Sequence, residues 1–192
     1  MAIYYDTVSQ KRYGKTSLAK AGLSINSDNI HEVINETVSY DPLTQIAFDS
    51  GGVEERDGSY FVIWAIEDRN IDEIKKEMKA SLANIRYEKE INGTETADGI
   101  KVLTNRESQA STNSVYNALA NGIITSTQWK SPTGWILVTA TELLPIVTAL
   151  NEHVSKCFIA EQIVSAAIDA ASDGDELRQI NLNADFDTAY SA

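Results

Sequence analysis

The chain reads as an α+β protein: a small antiparallel β-module over residues 1–68, then a mainly helical domain over 69–192 with one long helix and short β-hairpins. Three stretches carry that reading. Between Thr141 and Ala171, the residues Leu143, Val147, Leu150, Val154, Cys157, Val164 and Ile168 recur at steps of four and three, broken only by Glu161. A repeat of about 3.5 residues sets such side chains on one narrow seam of a long helix. Ile71, Ile74, Met78, Leu82 and Ile85 step the same way, with Glu73, Lys75, Lys76, Glu77 and Lys79 on the other face. That predicts a second helix, from Asn70 or Asp72 to about Glu90, with a single apolar stripe. Asp57-Gly58 stands before Tyr60-Phe61-Val62-Ile63-Trp64-Ala65-Ile66, a hairpin dipeptide ahead of a run of aromatic and branched residues.

The remaining elements come in chain order. Ala2 to Asp6 reads as a short strand, Ser9 to Lys15 as a polar turn, and Leu23–Ile25 and His31–Ile34 as short strands. Thr37 to Tyr40 runs into Asp41-Pro42-Leu43-Thr44, a turn signature, and Gln45 to Phe48 returns as its partner, followed by Val53 to Arg56. Beyond the second helix, Asn92-Gly93 and Asp98-Gly99 flank a polar break, and Ile100–Leu103 is a short strand. Arg106 to Asn121 forms a third helix with Gly122 as its stop. Gln128–Lys130 and Trp135–Val138 bracket a hairpin turn at Ser131-Pro132-Thr133-Gly134. The long helix starts at Thr141 with Glu142 behind it and carries Pro145 in its first turns, where few backbone donors are needed. Ser172 and Asp175 stand at capping-box spacing ahead of a last short helix with Leu177, Ile180 and Leu182. The polar tail from Asn183 to Ala192 is expected to order only against a partner.

Hydrophobic residues at 43% and charged residues at 23% match an ordinary globular protein, so disorder of the whole chain is excluded. A net charge of −12 disfavours nonspecific binding to nucleic acid or anionic membrane, which needs clustered Lys and Arg. One cysteine, Cys157, rules out an intramolecular disulfide framework. The first residues have neither a basic segment nor an apolar run, so no signal peptide is expected, and no stretch approaches the ~20 apolar residues of a membrane span.

Four groups of residues invite a chemical reading. Gly14-Lys15-Thr16 matches the end of a phosphate-binding loop, but Ser9 stands where the first glycine belongs, so a surface turn is expected. His153, Cys157 and Glu161 share a helical face and carry metal-ligand chemistry. The competing reading makes Cys157 a small buried hydrophobe and His153 and Glu161 polar residues that set a helix register. Arg106, Glu107 and Gln109 open a helix after a strand and read as structural, with Glu107 near the helix N-terminus and Arg106 paired to a neighbouring segment. Trp64, Trp129 and Trp135, with eight tyrosines, offer a sugar-binding surface or core packing. No catalytic constellation, cofactor motif or committed metal site emerges.

From about Ile71 onward a series of short pieces keeps one order: Asp98-Gly99, Thr104-Asn105-Arg106-Glu107-Ser108-Gln109, Trp129-Lys130 with Trp135, Thr139-Ala140-Thr141-Glu142-Leu143, His153-Val154 with Cys157-Phe158, and Asp175-Glu176-Leu177. In this order they resemble an uncharacterised domain family common in tailed-bacteriophage tail genes, with Asn105 where an aspartate is expected. Tyr40-Asp41-Pro42, the glycine-rich turns and Trp64 ahead of a helix are similar to the front ends of tail-fibre and tail-fibre-assembly proteins. The family supplies no chemistry, so no catalytic residue carries over. The resemblance implies a non-enzymatic structural or interaction component of a phage tail, made in the bacterial host cytoplasm and carried in the virion. Its partners would be other tail proteins and copies of itself, a trimer among the options. The expected assembly surface is Ile71, Ile74, Met78, Leu82 and Ile85 on one helix and Leu143, Val147, Leu150 and Val154 on the other. Two alternatives stand beside this: a fibre-assembly chaperone that does not stay in the particle, and a receptor-binding protein that contacts host glycans through Trp129 and Trp135.

Overall fold

The computed structural model describes residues 2–131 and 134–192. The chain divides into two units, Met1–Ile71 and Asp72–Ala192, and the architecture is α+β.

The first unit holds β1 (Ile3–Asp6), β2 (Lys11–Gly14), α1 (Lys15–Lys20), β3 (Ile30–Ile34), β4 (Gln45–Arg56) and β5 (Ser59–Asp68). The strands form one sheet in the order β2-β1-β3-β5-β4. Three of its pairings are antiparallel, as expected, but β3 and β5 run parallel through Val33↔Tyr60 and Ile34↔Phe61. The cause is topological. The chain leaves β3, crosses to the far edge as β4 and returns through a hairpin, and parallel neighbours need such a crossover. Asp57 and Gly58 both take positive φ, 51° and 75°, which defines the type I′ turn between β4 and β5.

Several expected elements change here. Ser9–Lys15 is not one turn, because Lys11–Gly14 pairs with β1 and Lys15 opens α1. Leu23–Ile25 is not a strand: it comes after α1, whose end is closed by bonds from Gly22 N to Ala19 O and from Leu23 N to Leu18 O. Thr37–Tyr40 is irregular. Gln45–Phe48 and Val53–Arg56 are one strand whose register shifts between Asp49 and Val53, the mark of a bulge. Carboxylates fasten this unit's turns. Asp6 is buried and accepts from Val8 N (3.0 Å), Ser9 Oγ (2.6 Å) and Asn29 Nδ2 (2.6 Å). Asp41 accepts from Leu43 N and Thr44 Oγ1. Asp49, at the bulge, takes both Arg12 guanidinium nitrogens at 2.5 Å.

The second unit is built on α2 (Ile71–Ile91), β6 (Thr94–Glu95), β7 (Lys101–Val102), α3 (Arg106–Ala120), β8 (Thr127–Ser131), β9 (Gly134–Val138), α4 (Ala140–Ala170), α5 (Gly174–Gln179) and α6 (Leu182–Ser191). The 31-residue α4 is its axis. Thr139 and Glu142 form a capping box at its start, two residues before the expected first position. Its buried row is Leu143, Val147, Leu150, His153, Cys157, Ala160, Val164 and Ile168. His153 and Ala160 therefore take the places that a 3.5-residue repeat assigns to Val154 and Glu161. The row rejoins the expected positions at Cys157, Val164 and Ile168, because a 3.5-residue seam passes midway between 153 and 154 and again between 160 and 161.

Helix α2 runs antiparallel along α4. Lys75 and Lys79 reach Asp169, and Arg86 reaches Glu161. The small β8–β9 hairpin sits on a cluster of Leu119, Val138, Leu143 and Val147, joined by Val115, Tyr116, Trp129, Ala140 and Ile146. Pro132 and Thr133 of its expected turn lie outside the described residues. Asp173, not Ser172, caps α5, by accepting from Glu176 N. The tail expected to await a partner is α6, capped by Asn181, with Phe186 buried at 1% exposure and Tyr190 bonded to His153 of α4. Phe186 and Tyr190 stand at i and i+4, so the polar tail carries one short apolar face. Among the described residues no helix is long and apolar enough to cross a membrane.

Candidate functional site

On α2, the positions Ile74, Met78, Leu82, Arg86 and Glu90 form a strict i+4 row. The first three are buried apolar side chains. The row continues inward as an ion pair, and Glu90 at its end is 0% exposed. A buried carboxylate needs partners for its lone pairs, because an unpaired charge in the interior costs several kcal/mol. Glu90 has four such contacts. Its Oε2 accepts from Arg86 Nη1 at 2.5 Å and Arg106 Nη2 at 3.2 Å, and its Oε1 accepts from Gln109 Nε2 at 3.0 Å and lies 3.1 Å from Arg106 Nη1.

The last turn of α2 and the first turn of α3 meet at this carboxylate. Asn105 caps α3 by accepting from Ser108 N, the role an aspartate would fill equally well. That cap aims Arg106 and Gln109 at Glu90. Gln109 also donates to Thr104 O at 2.7 Å, and the buried Thr104 hydroxyl accepts from Gly93 N at 2.8 Å. Gly93 has φ 91°, and an added Cβ there would lie 3.3 Å from Val102 O, so glycine suits the turn from α2 into β6.

Arg86 links this knot to α4. Its Nε donates to Glu161 at 2.9 Å and its guanidinium lies over the Phe158 ring at 4.6 Å. Burial pulls the Arg86 pKa down, but the hydrogen bonds to Glu90 and Glu161 outweigh that and leave it above its ordinary value. Two arginines thus balance two glutamates.

Beside the knot stands His153, buried at 4% exposure. Its Nε2 lies 3.1 Å from the carbonyl oxygens of both Lys89 and Glu90, and carbonyls only accept, so Nε2 carries the proton. In the neutral ring Nδ1 then accepts from the Tyr190 hydroxyl, at 2.7 Å. The Cys157 sulfur is 3.9 Å from Nε2, facing a donor and not a base. Burial, with a smaller push from Glu90, raises the thiol pKa to about 11. Cys157 is a protonated thiol at neutral pH and has no activating partner in His153.

The structure thus gathers two groups that the sequence offered separately. Arg106 and Gln109 come together with Cys157, His153 and Glu161, while Glu107 stays exposed in the first turn of α3. Metal ligation by His153, Cys157 and Glu161 does not hold, because both imidazole nitrogens and the Glu161 carboxylate already have protein partners. Among the described residues no group of His, Cys, Asp or Glu is placed to hold a metal ion. Gly14 ends β2, and Lys15 and Thr16 are exposed at the start of the six-residue α1.

The expected assembly stripes lie mostly inside the chain. Ile74, Met78, Leu82, Leu143, Val147 and Leu150 are buried, and Ile71, Ile85 and Val154 are half-buried. The two hairpin tryptophans separate. Trp129 pairs with Ile136 on the face turned to the core, whereas Trp135 pairs with Lys130 on the other face and is 69% exposed. Reasoning from sequence passed over Arg86, Glu90 and Tyr190. The signal for the first two was an i, i+4 ion pair set on an apolar stripe, where solvated charges do not belong.

The family described as Domain of unknown function (DUF4376) matches residues 73–188. The chain belongs to that family. The match begins in the first turn of α2 and ends within α6, so the Glu90 knot, His153 and the hairpin lie inside the DUF4376 domain, and Tyr190 lies two residues beyond the match. No curated protein and no solved structure matches the chain.

Proposed function

We propose that this DUF4376 protein is a non-enzymatic assembly component of a bacteriophage tail. The observation that carries the reading is the hairpin. With the helical stripes packed within the chain, β9 still presents Trp135 at 69% and Leu137 at 59% exposure, a contact surface without a covering element. The polar knot supports a structural role, since its charges pair internally and its one thiol is protonated and unactivated. Placement in a tail rests on the ordered pieces from Asp98 to Leu177 that resemble tail genes. The net charge of −12 speaks against a nucleic-acid partner.

A second reading has one observation of its own. Trp135 offers an open ring face beside Lys130, a geometry suited to stacking on a host glycan. The fibre-assembly chaperone remains the alternative in which the same surface holds another tail protein only before assembly.

The test is quantitative mass spectrometry on purified virions, counting this protein against the major tail protein. A fixed stoichiometry is expected. Abundance in the infected-cell lysate with none in virions would replace the structural role with the chaperone.

A further inference from the structure

We propose that the chain dimerises by pairing β9 with β9 of a second copy, antiparallel about a two-fold axis at Ile136. This rests on the assembly reading above and names the partner and the register.

The first ground is the strand edge. Among the described residues β9 pairs on one side only, with β8. An edge left open to water is normally guarded by charge, proline or a bulge. Both edges of the larger sheet are guarded: β4 by its bulge and by Glu54, Glu55 and Arg56, β2 by its shortness and by Lys11 and Arg12. Strand β8 carries Lys130. Strand β9, Gly134-Trp135-Ile136-Leu137-Val138, has no such guard. It is also half of an isolated two-stranded sheet, and such a sheet gains stability from further strands.

The second ground is charge. Between Glu107 and Glu142 the only charged side chain in the sequence is Lys130. In a chain of net charge −12, two copies repel wherever acidic surfaces approach. The hairpin is where they meet without that cost. A strongly basic or acidic partner finds nothing on this face to match, whereas a neutral, self-complementary face suits a second copy. In the joined sheet the two Lys130 side chains stand on the outer strands, three strand spacings or about 14 Å apart, beyond the ~8 Å Debye length.

The third ground is register. Antiparallel pairing centred on Ile136 sets Trp135 opposite Leu137 of the second copy, twice over. Both lie on the hairpin's outer face and both are exposed in one chain. Cross-strand aromatic–aliphatic pairs of this kind stabilise sheets. Ile136 meets itself on the axis.

Sedimentation velocity on the full chain at tens of micromolar tests this. The expected species has twice the 21.1 kDa mass of one chain. Trp135→Lys is expected to weaken the dimer at least tenfold while leaving the circular dichroism unchanged, because the side chain is exposed. Ile136→Cys is expected to form a disulfide-linked dimer on mild oxidation, which the buried Cys157 of the parent chain does not. A monomeric parent chain, a Trp135→Lys dimer of unchanged strength, or an Ile136→Cys variant that fails to cross-link would each overturn the proposal. A monomer found at fixed virion stoichiometry would sink the dimer alone. A dimer absent from virions would sink the tail-component role alone.

Discussion

In the sheet unit, carboxylates close turns. Asp6 holds Val8 and Ser9, Asp41 holds Leu43 and Thr44, and Asp49 bonds Gly51 N within its own bulge while meeting Arg12. In the helical unit one carboxylate joins two helices: Glu90 of α2 gathers Arg106 and Gln109 of α3, and Arg86 carries the tie on to Glu161 of α4. The first arrangement holds turns and adds single ties to distant segments, from Asn29 to Asp6 and from Arg12 to Asp49. The second is buried and draws on residues far apart in the chain. Their acid–base chemistry differs as well. Asp6 and Asp49 have depressed pKa values, through the Ser9 hydroxyl and the Arg12 guanidinium respectively, while burial raises those of Cys157 and Tyr190. Acid weakens the sheet unit through its carboxylates, and alkali weakens the helical unit through Cys157 and Tyr190, with Tyr60 of the sheet unit, also raised by burial, shifted the same way.

The largest break in that contrast is expected from Glu90→Ala. It leaves Gln109 without its carboxylate and strips the largely buried Arg86 of one of its two carboxylates, and loss of a buried ionic partner costs about 3–5 kcal/mol. Urea unfolding followed by amide NMR should show the helical unit's signals lost at lower urea, with residues 1–71 unmoved. Equal unfolding midpoints for variant and parent would make the knot ornamental. A smaller effect is expected at high pH. The folded Cys157 pKa of about 11 exceeds its ordinary value of 9.0, so the folded state keeps a proton that the unfolded state sheds. Its contribution is full below pH 9 and lost as pH rises towards 11, roughly 3 kcal/mol in all. Cys157→Ser should flatten the fall in melting temperature across that window. A slope identical to the parent's would remove Cys157 from the account. The smallest effect is expected in acid. Asp6 and Asp49 lie below 3.8 in the folded state, so their contribution is present above that value and lost as pH falls through the folded pKa. Asp6→Asn should lessen the acid loss seen in the signals of residues 2–71 alone. A change in the helical unit instead would contradict the contrast.

Periodicity made the helices legible. The stripes of α2 and α4 and the stop at Gly122 placed them within a residue or two, because a long amphipathic repeat survives local noise. The Asp57-Gly58 turn and β5 were legible from turn chemistry and from the aromatic and branched residues that follow it. The α1 helix was not, since six residues with one buried side chain, Leu18, show no period. Nor was the crossover from β3 through β4 to β5, because strand order is set by tertiary packing and leaves no local mark. The knot was half legible. His153, Cys157, Arg106 and Gln109 stood out by type, but what joins them is Glu90, which in sequence is one more acid near a helix end. The α6 helix hid behind its polar composition, although Asn181 with Phe186 and Tyr190 beyond it carries the cap and the face.

The buried row that runs the length of α4 makes its numbering a phase. The helix is about 46 Å long, and each added residue rotates the rest of the helix by about 100°. One residue inserted between Leu150 and His153 would swing His153, Cys157, Val164 and Ile168 off the seam together, detaching the imidazole from Tyr190 and Glu161 from Arg86 in a single event. Length changes in such a protein therefore belong in the turns, such as the stretch between Thr96 and Ile100, and α4 works as a ruler whose every mark is already assigned.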